Sequence, residues 1–183
     1  MIIDFLGLLK YNRTMKERIQ KAAFLDRDGP IIVDTGHVRD HERVRLAEGA
    51  AEGIKLLKEH GFKVIVISNQ AGVAKKIITP EQARQVHEKV VQLLREQGAE
   101  LDDVYYCFHH PDDACECRKP GTKHVHDAAA KYGIDLARSF FVGDKEIDLQ
   151  AGRNAHPDMK TFLTTNTATL KHAAEWIIQQ DTI

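Results

Sequence analysis

Residues 24–31 read Phe24-Leu25-Asp26-Arg27-Asp28-Gly29-Pro30-Ile31, with two carboxylates two positions apart where an apolar run gives way to Gly-Pro. The run before them, "KAAFLD" (21–26), is short and continuous, which fits a strand buried on both faces. Side chains at i and i+2 of an extended segment point the same way, so Asp26 and Asp28 can face one pocket, and Gly29 lets the chain turn away. Two carboxylates held close repel unless a cation sits between them or one stays protonated.

Moving outward, the strand pattern recurs. "EGAAEGIKLLKEHG" (48–61) has apolar residues at helical spacing and stops at Gly61, and "FKVIVIS" (62–68) is a second buried strand. Thr79 is placed to cap a helix with Pro80 at its first position and Gly98 at its stop. "DDVYYC" (102–107) follows as a strand, "GTKHVHDAAAKYG" (121–133) as a helix and "RSFFVGD" (138–144) as a strand. "EIDLQAGRN" (146–154) starts a helix, "KTFLTT" (160–165) is a last strand, and a closing helix ends near Ile178. Strands alternating with helices predict a doubly wound α/β fold with a mostly parallel sheet. Ligands of such sheets bind outside the carboxyl ends of the strands, here Asp26, Ser68, Cys107 and Asp144.

At 183 residues the chain fits one domain, and no insertion between the motifs is large enough for a cap domain. Residues 1–20 read as an N-terminal extension, with Met15 as an alternative start, ahead of a domain over 21–183. The 26 Lys+Arg against 27 Asp+Glu leave no basic stripe, so nucleic acid is not an expected partner. Apolar stretches such as Val64 to Ile67 are too short to cross a bilayer, and the first residues lack a signal-peptide pattern. A cytoplasmic monomer without membrane contact is expected.

The other strand ends add chemistry. Ser68 can donate to a phosphoryl oxygen, and the turn Asn69-Gln70-Ala71 can offer backbone N–H groups to an anion, although a serine there is also an ordinary cap. Arg118 and Lys119 are paired cations ahead of a helix, suited to charge that develops in a transition state. Asp144 follows an apolar strand and completes, with Asp26 and Asp28, an all-oxygen set suited to magnesium. Asp148 reads equally as a charge preference at a helix N-terminus. Cys107, Cys115 and Cys117 cluster too tightly for a secreted disulfide framework and indicate a metal or redox site.

With "FLDRDG", "ISNQAGVA", "YYCFHHP", "CECRKPG" and "VGDKEID" in this order, the chain from about Lys21 to Asn154 resembles zinc-bearing phosphatases of the haloacid dehalogenase (HAD) superfamily. Those enzymes act on D-glycero-D-manno-heptose 1,7-bisphosphate or histidinol phosphate. The resemblance implies Asp26 as nucleophile, forming an aspartyl-phosphate, and Asp28 as general acid and then base. It implies magnesium on Asp26, the Asp28 carbonyl and Asp144, with Ser68 and Lys119 steadying the phosphoryl oxygens. It further implies Arg118 in substrate recognition, Lys145 in support, Asn69, Gln70 and Ala71 as contacts, and Asp34, Thr35, Gly36 and His37 at the entrance. In "CFHHPDDACEC" it selects Cys107, His109, Cys115 and Cys117 as a closed, structural zinc site.

Pro30 departs from the Thr or Val usual after D-x-D-G, and the segment after the last strand lacks the Arg-Thr-Gly of the heptose enzymes. The short gap between His109 and Cys115 resembles histidinol-phosphate enzymes, whereas "DTGHV", "NQAGVA" and "VGDK" resemble the heptose type, which is the reading favoured. The competing class is a non-catalytic zinc-loop binding module, which has no physical need for Asp26, Asp28, Lys119 and Asp144 together.

Overall fold

The computed structural model describes residues 20–181. Strands β1 (Lys21–Leu25), β2 (Phe62–Asn69), β3 (Asp103–Cys107), β4 (Phe140–Gly143) and β5 (Lys160–Leu163) form one sheet in the order β3-β2-β1-β4-β5. Every pairing is parallel, and register places Phe24 beside Ile65 on one side and Phe141 on the other. The helices between and after the strands are α1 (Ala50–Glu59), α2 (Pro80–Glu96), α3 (Lys123–Tyr132), α4 (Glu146–Ala155) and α5 (Leu170–Asp181).

The alternation of β1 decides the two layers. Ala23 and Leu25 pack in a core with Ile54 and Leu57 of α1, Val86 and Val90 of α2, and Ile177 of α5. Ala22 and Phe24 face the opposite way, toward Val125 and Ala128 of α3 and Ala151 of α4. Both faces of β1 are therefore dry, as its continuous apolar run predicts. From β1 the chain winds outward to β3 and then returns to the other side for β4 and β5. The reversal falls between β1 and β4, the crevice where doubly wound sheets bind ligands.

The helix over 80–96 begins as expected: Thr79 Oγ1 accepts from Gln82 N–H at 3.1 Å, and Gln82 Oε1 accepts from Thr79 N–H at 2.8 Å. Several boundaries differ by one to three residues, among them β5, which stops at Leu163 rather than Thr165. Arg138 lies not in a strand but in a 3-10 turn, Leu136–Arg138, capped by the Asp135 side chain, so β4 starts at Phe140. The closing helix runs past Ile178 to Asp181, whose carboxylate pairs with Lys21 and holds the last turn on the sheet. The expected extension lies outside the described residues except Gln20, whose N–H donates to Gly133 O at 3.2 Å. No helix among the described residues is long and apolar enough to cross a membrane.

Candidate active site

Asp26 directly follows β1, and its N–H donates to Val142 O at 2.9 Å, which holds it beside the end of β4 and hence near Asp144. That proximity depends on Gly29. A Cβ there would lie 2.5 Å from Asp144 Cγ, and the backbone sits at φ +102°, which L side chains rarely adopt. Between them the loop closes on one acceptor: Ile31 and Ile32 N–H donate to Arg27 O at 3.1 and 3.0 Å. Pro30 occupies a corner within this closed loop, where its ring is buried.

Lys119 is 2% exposed, and its Nζ lies 2.8 Å from Asp26 Oδ1 and 2.6 Å from Asp148 Oδ1. Asn69 fixes the loop that delivers it. Lys119 N–H donates to Asn69 Oδ1 at 2.9 Å, and Asn69 Nδ2 donates back to Lys119 O at 3.1 Å. Asp28 accepts the Arg27 fork, Nε on Oδ1 and Nη2 on Oδ2, each at 2.9 Å. Gln70 Nε2 donates both to Asp28 Oδ2 at 2.7 Å and to Ser68 Oγ at 3.0 Å.

These groups open onto a cleft of about 350 Å³, lined by Asp26, Asp28, Asp34, Gly36, His37, Asn69, Gln70, Arg118, Lys119, Lys145, Ile147 and Asp148. Most of the site residues expected from sequence thus meet in one place. Ser68 and Ala71 are buried beneath it, and Thr35 is exposed and does not line it. Arg118 Nη1 is buried without a hydrogen-bond partner, as suits a cation awaiting an anion. Lys145 Nζ bridges Asp34 Oδ2 at 3.0 Å and Asp144 Oδ2 at 3.3 Å. Burial pulls the Lys145 ammonium down, but those two carboxylates outweigh it and hold its pKa above the usual lysine value.

The carboxylates suit a metal. Asp26, Asp144 and Asp148 each offer an oxygen within 4.8 Å of the others, and Asp144 Oδ1 is buried without a partner. Burial, with the Asp26 charge adding to it and Lys145 opposing it, raises the Asp144 pKa. Asp148 is raised likewise, by burial first and against the pull of Lys119. An all-oxygen, acid-rich pocket of this kind fits a hard divalent cation. Asp148, legible in the sequence only as a helix-start acid and not counted among the site residues there, belongs to the site: its Oδ2 caps Lys145 N–H at 3.1 Å while its Oδ1 anchors Lys119. The only signal was its place in "GDKEID".

On the adjoining loop, Cys107 Sγ lies 3.7 Å from Cys115 Sγ, 3.3 Å from Cys117 Sγ and 3.6 Å from His109 Nδ1, and Cys117 Sγ lies 3.2 Å from His109 Nδ1. A tetrahedral zinc with bonds near 2.0–2.3 Å sets edges of about 3.5–3.8 Å. The Cys107 contacts to Cys115 and His109 match these, and the two Cys117 contacts are shorter by a few tenths of an ångström, so the donor set suits zinc with Cys117 moving slightly outward. His110 turns instead to Asp112, Nδ1 to Oδ2 at 3.3 Å. Burial and the neighbouring Cys117 push the Cys107 thiol up to about 12, a cost that a bound cation removes.

A parallel doubly wound sheet with Asp26, Asp28, Lys119 and Asp144 gathered from the loops beyond its carboxyl ends defines a phosphatase of the HAD type, a phosphoric monoester hydrolase. The family model described as polynucleotide kinase 3 phosphatase matches residues 21–178. D-glycero-beta-D-manno-heptose-1,7-bisphosphate 7-phosphatase of Yersinia pestis is 36% identical over 167 residues, 86% of this chain and 89% of the relative. The enzyme of the same name from Helicobacter pylori (strain J99) is 40% identical over 158 residues, covering 86% and 90%. The structure of D,D-heptose 1,7-bisphosphate phosphatase from B. bronchiseptica, complexed with magnesium and phosphate, matches with a TM-score of 0.75 and 27% identity over 88% of this chain and 99% of that one. The chain belongs to the polynucleotide kinase 3 phosphatase family of HAD-type hydrolases, together with these heptose bisphosphate phosphatases to which it is similar along most of its length.

Proposed function

We propose that this phosphatase removes the 7-phosphate of D-glycero-D-manno-heptose 1,7-bisphosphate through an aspartyl-phosphate on Asp26. The observation that carries the mechanism is the buried Lys119 ammonium 2.8 Å from Asp26 Oδ1 in the lining of the cleft. The substrate follows from the names of the relatives that match along most of the chain.

The Asp26 carboxylate attacks phosphorus, the bond to the sugar oxygen breaks, and Asp28 gives that oxygen its proton. Asp28 then takes a proton from water as the water attacks the phosphoryl group, which frees Asp26 and inorganic phosphate. Lys119 faces the oxygens that gain charge in both steps, and Asp148 keeps it in place. Ser68, under the cleft, steadies the phosphoryl group together with the Asn69–Ala71 turn. Asp34, Gly36, His37, Arg118 and Lys145, which line the cleft, receive the rest of the substrate, and Thr35 acts only as part of the entrance loop. Asp26, the Asp28 carbonyl and Asp144 would hold magnesium, which would supply charge neutralisation and orientation of the phosphoryl group.

Zinc on Cys107, His109, Cys115 and Cys117 is structural, because four protein ligands leave no open position, and it stiffens the loop that carries Arg118 and Lys119. The balanced charge of −1 supports a small phosphorylated sugar over a nucleic-acid end. A cytoplasmic monomer without membrane contact is part of the same proposal. Heptose synthesis for lipopolysaccharide is the corresponding role. The test is phosphate release, with magnesium, from heptose 1,7-bisphosphate and histidinol phosphate side by side. Preference for the bisphosphate, lost in Asp26→Asn, is the expected result; preference for histidinol phosphate overturns the substrate, and an active Asp26→Asn overturns the nucleophile.

A further inference from the structure

Arg27, the residue between the two aspartates, is charged yet only 3% exposed. Its Nε and Nη2 reach the two oxygens of Asp28 at 2.9 Å each, a bidentate fork that fixes both the place and the plane of that carboxylate. The guanidinium is itself held, with its carbon 5.5 Å over the Tyr106 ring. The Tyr106 hydroxyl in turn lies 3.1 Å from His87 Nδ1 on α2. The fork on Asp28 is thereby tied through β3 to a helix outside the cleft. A solvated surface arginine would have neither the burial nor the chain of partners.

We infer that Arg27 is a positioning residue, which aims the Asp28 carboxyl at the oxygen of the leaving group, with Tyr106 and His87 holding the guanidinium in register. The inference rests on the proposed role of Asp28. Lysine cannot replace Arg27 in this task, because a single ammonium offers no planar pair of donors. Misplacing a general acid forfeits the factor of about 10²–10⁴ that it contributes, and only for substrates whose leaving oxygen needs a proton.

The leaving group therefore separates positioning from mere structure. Values of kcat/KM, which report the steps up to aspartyl-phosphate formation, are compared for a sugar phosphate and for p-nitrophenyl phosphate, whose leaving group departs without a proton. Arg27→Met is expected to lower kcat/KM for the sugar phosphate by about 100-fold and for the aryl phosphate by less than about threefold. Arg27→Lys is expected to show the same bias, and it decides the matter if Arg27→Met does not fold. Equal losses on the two substrates, or no loss on either, overturn the inference. Asp28→Asn separates the two levels: the bias in Asp28→Asn but not in the Arg27 variants removes the role of Arg27 alone. Its absence from all of them removes the reading of Asp28 and the inference with it.

Discussion

Replacing Gly29 by alanine tests whether the approach of the β1 loop to Asp144 is what assembles the site. The new Cβ would sit 2.5 Å from Asp144 Cγ, and reaching an ordinary contact of 3.4 Å takes about 0.9 Å of movement by the loop or by Asp144. A displacement of about 1 Å in a catalytic constellation lowers rates by roughly 100-fold. Positive φ adds a stability penalty of about 1–2 kcal/mol, or roughly 2–8 °C in Tm for a chain of this size. Gly61→Ala is the matched control, with φ +77° and nothing within 4 Å of its Cβ, so it should share the fall in Tm and keep full activity. The assays are magnesium-dependent phosphate release, magnesium affinity by calorimetry and thermal melting. Gly29→Ala with activity within threefold of the parent and unchanged magnesium affinity would show that the site does not depend on this close approach.

Three further outcomes are expected. Asp148→Asn keeps the cap on Lys145 N–H but weakens the hold on Lys119, so kcat should fall at least about tenfold in phosphate-release assays while Tm changes little. Metal analysis should find one zinc per reduced chain, and Cys115→Ser should lose it with a fall in Tm of roughly 10 °C, since loss of a structural metal is among the largest single-site effects. Asp102 is half-buried, with Lys58 at 2.6 Å and Lys63 at 2.9 Å; partial burial pushes its pKa up, but those amines and the Val64 N–H outweigh it and lower the pKa. Its stabilisation is present above the unfolded value of about 3.9 and is lost as pH falls through the lowered folded value. Asp102→Asn should thus melt roughly 2–4 °C below the parent at pH 7, with the gap closing under acid conditions below about pH 4.

Features legible before folding obey local rules. Continuous apolar runs define β1, β2 and β4, because a strand covered on both faces cannot alternate. Thr79, Pro80 and Gln82 mark the start of α2, because capping satisfies backbone donors within four residues. The spacing of Cys107, His109, Cys115 and Cys117 foretold a cluster, since all four lie on one loop.

Tertiary structure alone decided how distant residues share charge. Asp148 reads as a helix-start acid, and only the fold of the cysteine loop places Lys119 against it and against Asp26. Asn69 reads as a strand-end amide, and only the crossing of two loops makes it the clamp on Lys119. Arg27 lies between two catalytic candidates without a pattern of its own, and its buried fork on Asp28 takes meaning from Tyr106 and His87, which arrive about 60–80 residues later. Local propensity acts within a few residues, whereas partners for a buried charge are supplied by whichever segments packing brings alongside, and no periodicity encodes that.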